Sequence, residues 1–277
     1  MSLRPLAVAG LLLALAAAPA PASGAMAADC DAGWACGPAV GTIQPGARLT
    51  NGCTMNFIVR DAQGRLYFGT AGHCGDVGET LGVVDVGDAV ATVVYDRYWD
   101  GGMDFALARI DESFRGAVDP TLLHWGGPVG LAAGDPELFE VTFHYGWGNV
   151  YNVSETTRAR VGVVLGWDDA EFSYLGFAQP GDSGAPILDQ DGRALGLHVR
   201  SSLGVELPEV GDLRVDPSYK FAVRLDAALA QAEAATHLQF AVVPGTIAPC
   251  MIPTAWSLLD DPSHAHVVLR GCVGLAE

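Results

Sequence analysis

The feature that most constrains this chain is a succession of short β-rich runs, broken every few residues by Gly, Pro, Asp and Asn. Phe57-Ile-Val-Arg60 and Leu66-Tyr-Phe-Gly-Thr70 flank Asp61-Ala-Gln-Gly64, the pattern of a hairpin. Further runs cover 81–86, 89–95 and 105–110. Residues 112–138 carry few strand signals and several Gly and Pro, and read as a connector. A second block follows, with runs at 139–143, 158–165, 185–188 and 194–199. One segment has clear helix character, 223–235, rich in Ala and Leu. Two blocks of short strands, about 40–111 and 139–222, predict an all-β fold of two barrels or sandwiches. The 35 Gly and 16 Pro supply the turns that so many short strands need.

The first 27 residues read as an address. Arg4 precedes an apolar run from Leu6 to Ala18, too short to cross a bilayer as a mature helix, and Ala25-Met26-Ala27 fits a signal-peptide cleavage site. Asp29 before Cys30 argues against a lipid anchor. Without Arg4 the mature part holds 14 basic residues against 32 acidic, a net charge of about -18. That excess disfavours nucleic acid and an anionic membrane as partners. With 50% hydrophobic and 17% charged residues the chain has the material for a core and is no candidate for disorder. Lys220 is the only lysine among the 15 basic residues. The expectation is a secreted protein with no membrane partner in its mature form.

Export puts the cysteines in an oxidising compartment. All six follow residue 27, and an even number there suggests three disulfides among 15 possible pairings. The sequence clusters are Cys30–Cys36, Cys53–Cys74 and Cys250–Cys272. No Cys/His spacing suits a metal, so no metal site is expected, and the serine chemistry read below needs no cofactor. Residues 237–277, with the last pair, read as a C-terminal extension.

Three short segments carry chemistry: Thr70-Ala-Gly-His-Cys74, Asp104-Phe-Ala-Leu107 and Gly181-Asp-Ser-Gly-Ala-Pro186. Their order and content resemble the trypsin-like, chymotrypsin-fold serine peptidases, over roughly residues 40–236. The spacings, 31 residues from His73 to Asp104 and 79 on to Ser183, suit a compact bacterial member. Gly146-Trp-Gly148 is similar to another family segment, and Ala185 departs from the family's second glycine. The resemblance implies two antiparallel six-stranded barrels with a C-terminal helix, and a serine endopeptidase acting on protein or peptide. It also implies that Cys53–Cys74 clips the loop carrying His73.

The residue types make physical sense on their own. A serine hydroxyl needs an adjacent base to become a nucleophile, and histidine titrates in the useful range. A carboxylate behind the imidazole fixes its tautomer and stabilises its charged form. Ser183, His73 and Asp104 fill these roles by resemblance, with Asp100 the nearest rival for the acid. The N–H groups of Gly181 and Ser183 would bind the oxyanion. Animal members of the family start with an Ile-Val-Gly-Gly run that inserts beside the Asp before the nucleophile; no such run occurs here, so Asp182 needs another partner, or none, as in bacterial members.

For substrate binding the resemblance implies a pocket near Phe177, Ala178, Gln179 and Pro180, walled by His198, Val199 and Arg200. A longer hairpin would instead put Ser202-Leu203-Gly204 on that wall. Gly196-Leu-His198 resembles glutamate-specific bacterial relatives, which suggests Glu or Asp before the cut bond. Arg200, two residues on, would add a second positive group to the same strand face. The alternative is an apolar pocket made by Phe177. Two other functions remain: a catalytically silent trypsin-like binding protein, and an α/β-hydrolase esterase, since Gly181-x-Ser183-x-Ala185 also resembles a nucleophile elbow. Asn152-Val-Ser154 matches a glycosylation sequon.

Overall fold

The structure is a computed structural model that describes residues 41–148, 158–201 and 219–249. The signal segment, Asn152, the alternative wall at 202–204, and the pairs Cys30–Cys36 and Cys250–Cys272 lie outside the described residues.

The first hairpin forms as expected, from β1 (Ile58–Asp61) and β2 (Leu66–Thr70). Its turn is set by one side chain: the Asp61 carboxylate accepts the N–H groups of Gln63 and Arg65, each at 2.9 Å. Strands β3 (Thr80–Val83), β4 (Gly87–Asp96) and β5 (Ala106–Ile110) complete the first run. The second comprises β6 (Val141–Tyr145), β7 (Ala159–Trp167), β8 (Glu171–Leu175), β9 (Pro186–Leu188), β10 (Ala194–Ser201) and β11 (Lys220–Arg224). Helix α1 (Leu225–Thr236) and β12 (Phe240–Val242) follow.

All named strand pairs are antiparallel, in two sheets. The second block closes into a six-stranded barrel, β10-β11-β8-β7-β6-β9. The first is a six-stranded sheet in the order β12-β1-β2-β5-β4-β3. Antiparallel pairing with one α-helix among the described residues is not the alternating architecture of an α/β-hydrolase, so that alternative falls.

Several boundaries differ from the sequence reading. The helix starts at Leu225, not 223, because Val223 and Arg224 continue β11, where Val223 is opposite Glu171. The chain after the helix is also not wholly an appendage. Its β12 pairs with β1, Val242 opposite Val59, and covers what would be an open edge. Phe240 meets Tyr67 edge-on at 5.3 Å, and Gly127 donates to the Ile247 carbonyl at 2.9 Å.

Period-two alternation sends the two faces of the first sheet to different cores. Ile58 and Phe68 join Leu49, Leu81 and Val93 on one side. Val59 and Tyr67 join Phe57, Phe105 and Leu107 on the other, with Leu197, Val223 and Leu225 from the second half of the chain. Both faces are buried, which is why these strands read as near-continuous apolar runs. Complete burial of a side chain such as Phe105 contributes about 2–3 kcal/mol. The helix packs a stripe of Leu225, Ala228, Leu229 and Ala232 toward β10 and β11. The shared core fixes the two sheets against each other, and the three motifs lie beside it.

Candidate active site

Strand β2 delivers Thr70-Ala-Gly-His-Cys74 into a single 3-10 turn, Gly72–Cys74, tied back by the Cys53–Cys74 disulfide. The His73 backbone N–H donates to Asp104 Oδ1 at 3.0 Å. The ring Nδ1 lies 2.9 Å from Oδ2 and 3.1 Å from Oδ1, so the carboxylate accepts a hydrogen bond from Nδ1–H. Asp104 is held because Phe105, next in the chain, is fully buried. Asp100 is no rival: its side chain is exposed and pairs with Arg97 at 3.2 Å. On the far side of the ring, Nε2 lies 2.8 Å from Ser183 Oγ. Three residues separated by 31 and 79 positions form one hydrogen-bonded line.

The turn at Ser183 is stitched to both halves of the chain. Thr54 donates its N–H to the Ser183 carbonyl at 2.8 Å and its hydroxyl to the Gly181 carbonyl at 2.7 Å. Gly184 donates to the His198 carbonyl at 2.8 Å. Gly184 has φ +90°, and a Cβ there would lie 2.2 Å from the Thr54 carbonyl oxygen, so no other residue fits. Ala185, the departure from the family pattern, sits fully buried at ordinary φ and still donates to the Asp182 carbonyl at 2.8 Å. Among the described residues, neither the Gly181 nor the Ser183 N–H donates to a backbone carbonyl.

Asp182 is fully buried and has a partner, Arg160 on β7, which donates to its Oδ2. Its two oxygens also accept the N–H groups of Gly148 and Gln179, each at 2.7 Å. A Cβ at Gly148 would lie 2.5 Å from Oδ2, which explains the glycine after Trp147.

His198 points into the second barrel, its Nδ1 2.8 Å from the Tyr174 hydroxyl. Burial holds the His198 imidazole down to about 3, helped by the charges of Lys220, Arg160 and His73. Burial also pushes the Tyr174 phenol well above its ordinary value. Tyr174 therefore keeps its proton and donates to Nδ1 of a neutral His198, leaving the hydrogen on Nε2. No hydrogen bond to Nε2 is seen among the described residues. His144 stacks edge-on against Tyr174 at 5.5 Å, completing a row of three rings.

No protein family and no curated protein matches the sequence. Solved structures do match. The chain is similar to a glutamic acid-specific serine protease that utilizes a histidine triad in substrate binding: TM-score 0.52, 17% identity, 73% of this chain and 100% of that one. A protease of Nocardiopsis gives TM-score 0.49 at 18% identity, over 72% and 98% of the two chains. The fold is that of the trypsin-like serine peptidases.

In this trypsin-like fold the first sheet carries His73 and Asp104, and the barrel carries Ser183. Cys53, His73 and Cys74 cluster tightly, but both sulfurs are committed to the disulfide and cannot ligate a metal as thiolates. The expected wall residues part company. Val199 is buried, and Phe177 is half-exposed with its ring 5.3 Å from the Arg160 guanidinium. Gln179 is anchored through its N–H to Asp182. Arg200 does not share the face of His198, because a bulge separates the two. It turns instead to Glu171, 2.5 Å away, over the Phe221 ring. Sequence reasoning missed Arg160, Tyr174 and His144. The alternation Arg160-x-Gly162-x-Val164 offered a signal for the first, since it puts the arginine on the inward face.

Proposed function

We propose that this protein is a secreted serine endopeptidase that cleaves peptide bonds through an acyl-enzyme. The observation that carries this reading is the unbroken line from Asp104 through His73 to Ser183. His73 Nε2 takes the serine proton as Oγ attacks the carbonyl, then gives it to the leaving amine. Asp104 keeps the other nitrogen protonated and stabilises the imidazolium. Water repeats the sequence on the ester and releases Ser183. The Gly181 and Ser183 N–H groups bind the oxygen that becomes negative, each such donor being worth about 3–4 kcal/mol in the transition state. The buried Arg160–Asp182 pair holds that turn. No step calls on a cofactor.

Secretion rests on the signal-like first 27 residues and fits the Cys53–Cys74 bridge. For the residue before the cut bond we propose Glu or Asp. The place of His198 beside the Ser183 turn, where its carbonyl accepts the Gly184 N–H, supports it, and one structural neighbour is specific for glutamic acid.

An active-site-directed phosphonate tests the reading. Ser183 is expected to carry the label in intact protein, read by peptide mass spectrometry, and not after denaturation. A folded protein that takes no label would favour the silent binding protein instead.

A further inference from the structure

We propose that Thr54 is a positioning residue for the oxyanion site: from the first half of the chain it fixes the peptide units of the Gly181–Ser183 turn, so that the N–H groups meant for the substrate oxygen are aimed only when the two halves are docked. This rests on the peptidase reading and adds the residue that gives the turn its geometry.

Thr54 follows Cys53 and is fully buried, with each of its polar groups bonded to a segment that carries the chemistry. Its N–H donates to the Ser183 carbonyl at 2.8 Å. Its hydroxyl donates to the Gly181 carbonyl at 2.7 Å and accepts the Trp147 N–H at 3.1 Å. Its own carbonyl accepts the Thr70 hydroxyl at 3.1 Å, at the head of Thr70-Ala-Gly-His73. The hydroxyl therefore joins residues 127 and 93 positions away, which only the docked fold can bring together. On the histidine side the same segment is anchored twice: Cys53 is bridged to Cys74, and Asn51 Nδ2 donates to the Cys74 carbonyl.

A trans peptide unit is planar and points its C=O and N–H in opposite directions, so holding one aims the other. The Gly181–Asp182 unit is held at both ends: its carbonyl takes the Thr54 hydroxyl, and its N–H goes to the Gln179 carbonyl at 3.0 Å. The Ser183–Gly184 unit is held the same way, by the Thr54 N–H and by the His198 carbonyl at 2.8 Å. Between them the Asp182 carbonyl accepts the Ala185 N–H at 2.8 Å, which aims the Ser183 N–H the other way. Thr54 thus grips the units on either side of the one that carries the Ser183 N–H, and holds Gly181 by its carbonyl. Gly181 at φ +103° and Gly184 at φ +90° have no side chain to stiffen the turn, so its planes are fixed from outside. Arg160 secures the Asp182 side chain, and Thr54 secures the backbone. Threonine suits the place because a hydroxyl both donates and accepts. Valine has the same shape and does neither.

The test uses full-length Thr54→Val and Thr54→Ser protein. Losing an oxyanion donor outright costs on the order of 10²–10³ in kcat, and Thr54→Val, which misaims the donors without removing them, should cost about 30-fold or more with KM within about threefold. Thr54→Ser returns the hydroxyl and should recover kcat to within about fivefold of wild type. A peptide aldehyde, whose adduct oxygen takes the oxyanion position, should lose affinity for Thr54→Val by about the factor lost in kcat, while the peptide acid of the same sequence binds within about threefold of wild type. Equal losses for the two ligands overturn the proposal, as does a Thr54→Ser enzyme as impaired as Thr54→Val. If Thr54→Val does not fold, the less crowded Thr54→Ala carries the same comparison, and an unchanged kcat there overturns the proposal. Amide exchange at Asp182 and Gly184, followed by NMR in the Ser183→Ala background, does not depend on turnover and should quicken by about tenfold or more with Thr54→Val. Unchanged exchange overturns the proposal. Quickened exchange in a protein whose wild type neither cleaves peptide nor binds the aldehyde would leave Thr54 as the grip on the turn and remove the peptidase reading.

Discussion

The Arg160 guanidinium donates to the carboxylate of Asp182, the residue immediately before Ser183, and both side chains are buried. Asp182 also receives the Gly148 and Gln179 N–H groups, so one carboxylate ties β7, the Gly146-Trp-Gly148 segment and the Gly181–Ser183 turn together. Removing one partner of a buried pair leaves the other uncompensated, at a cost of about 3–5 kcal/mol. Arg160→Leu should lose that much stability in urea unfolding and at least 100-fold in kcat, because the oxyanion N–H groups lose their support. Adding Asp182→Asn to Arg160→Leu should recover part of the stability. A double variant no more stable than the single one would contradict this.

The Cys53–Cys74 bridge closes a loop of 21 residues around His73. A loop of that size gives about 3 kcal/mol in chain-entropy terms. Replacing both cysteines by Ser should lower stability by about that amount while leaving Ser183 reactive in the protein that remains folded. Unchanged resistance to urea would show that the loop is held by its other contacts.

Two buried histidines and one half-buried one set a pH dependence. Burial lowers His124 to about 4 and His198 to about 3, and holds His144 well below its ordinary 6.5. The unfolded chain would titrate each near 6.5, so below that pH it binds more protons than the folded one. Their stabilising contribution is therefore complete above pH 6.5 and falls as the pH drops toward 4 and 3. Each histidine adds a slope of up to about 1.4 kcal/mol per pH unit. Glu140 and Asp189, whose carboxyls burial pushes up, act in the opposite sense. Urea titrations at pH 7 and pH 5 should differ by on the order of 4 kcal/mol. Equal stability at the two values would contradict the neutral buried rings.

Much of this was legible in the sequence, for identifiable reasons. Thr70-Ala-Gly-His-Cys74 and Gly181-Asp-Ser-Gly could be read because close backbone approach, as at Gly184, restricts which residues fit. Strands β2, β4 and β7 could be read because apolar residues dominate them. Strand β8 was missed although Phe172 and Tyr174 alternate with Glu171 and Ser173, a half-buried pattern that five residues make faint. Strand β12 was missed because nothing local says that Phe240–Val242 will cover the edge of β1. The partner of Asp182 was invisible for the same reason. Arg160 is 22 positions away, and only barrel closure brings it in. Arg200 was misplaced because strict period two was assumed, and the bulge after His198 breaks it.

The central claim is that Ser183, activated by His73 and Asp104, performs peptide hydrolysis. The direct measurement is kcat/KM on one fluorogenic peptide for wild-type and Ser183→Ala full-length protein, with thermal unfolding in parallel. The expected result is cleavage by wild type and a loss of about 10⁴-fold or more in Ser183→Ala, at a nearly unchanged melting temperature. A Ser183→Ala protein that keeps more than a tenth of the wild-type rate would contradict the account.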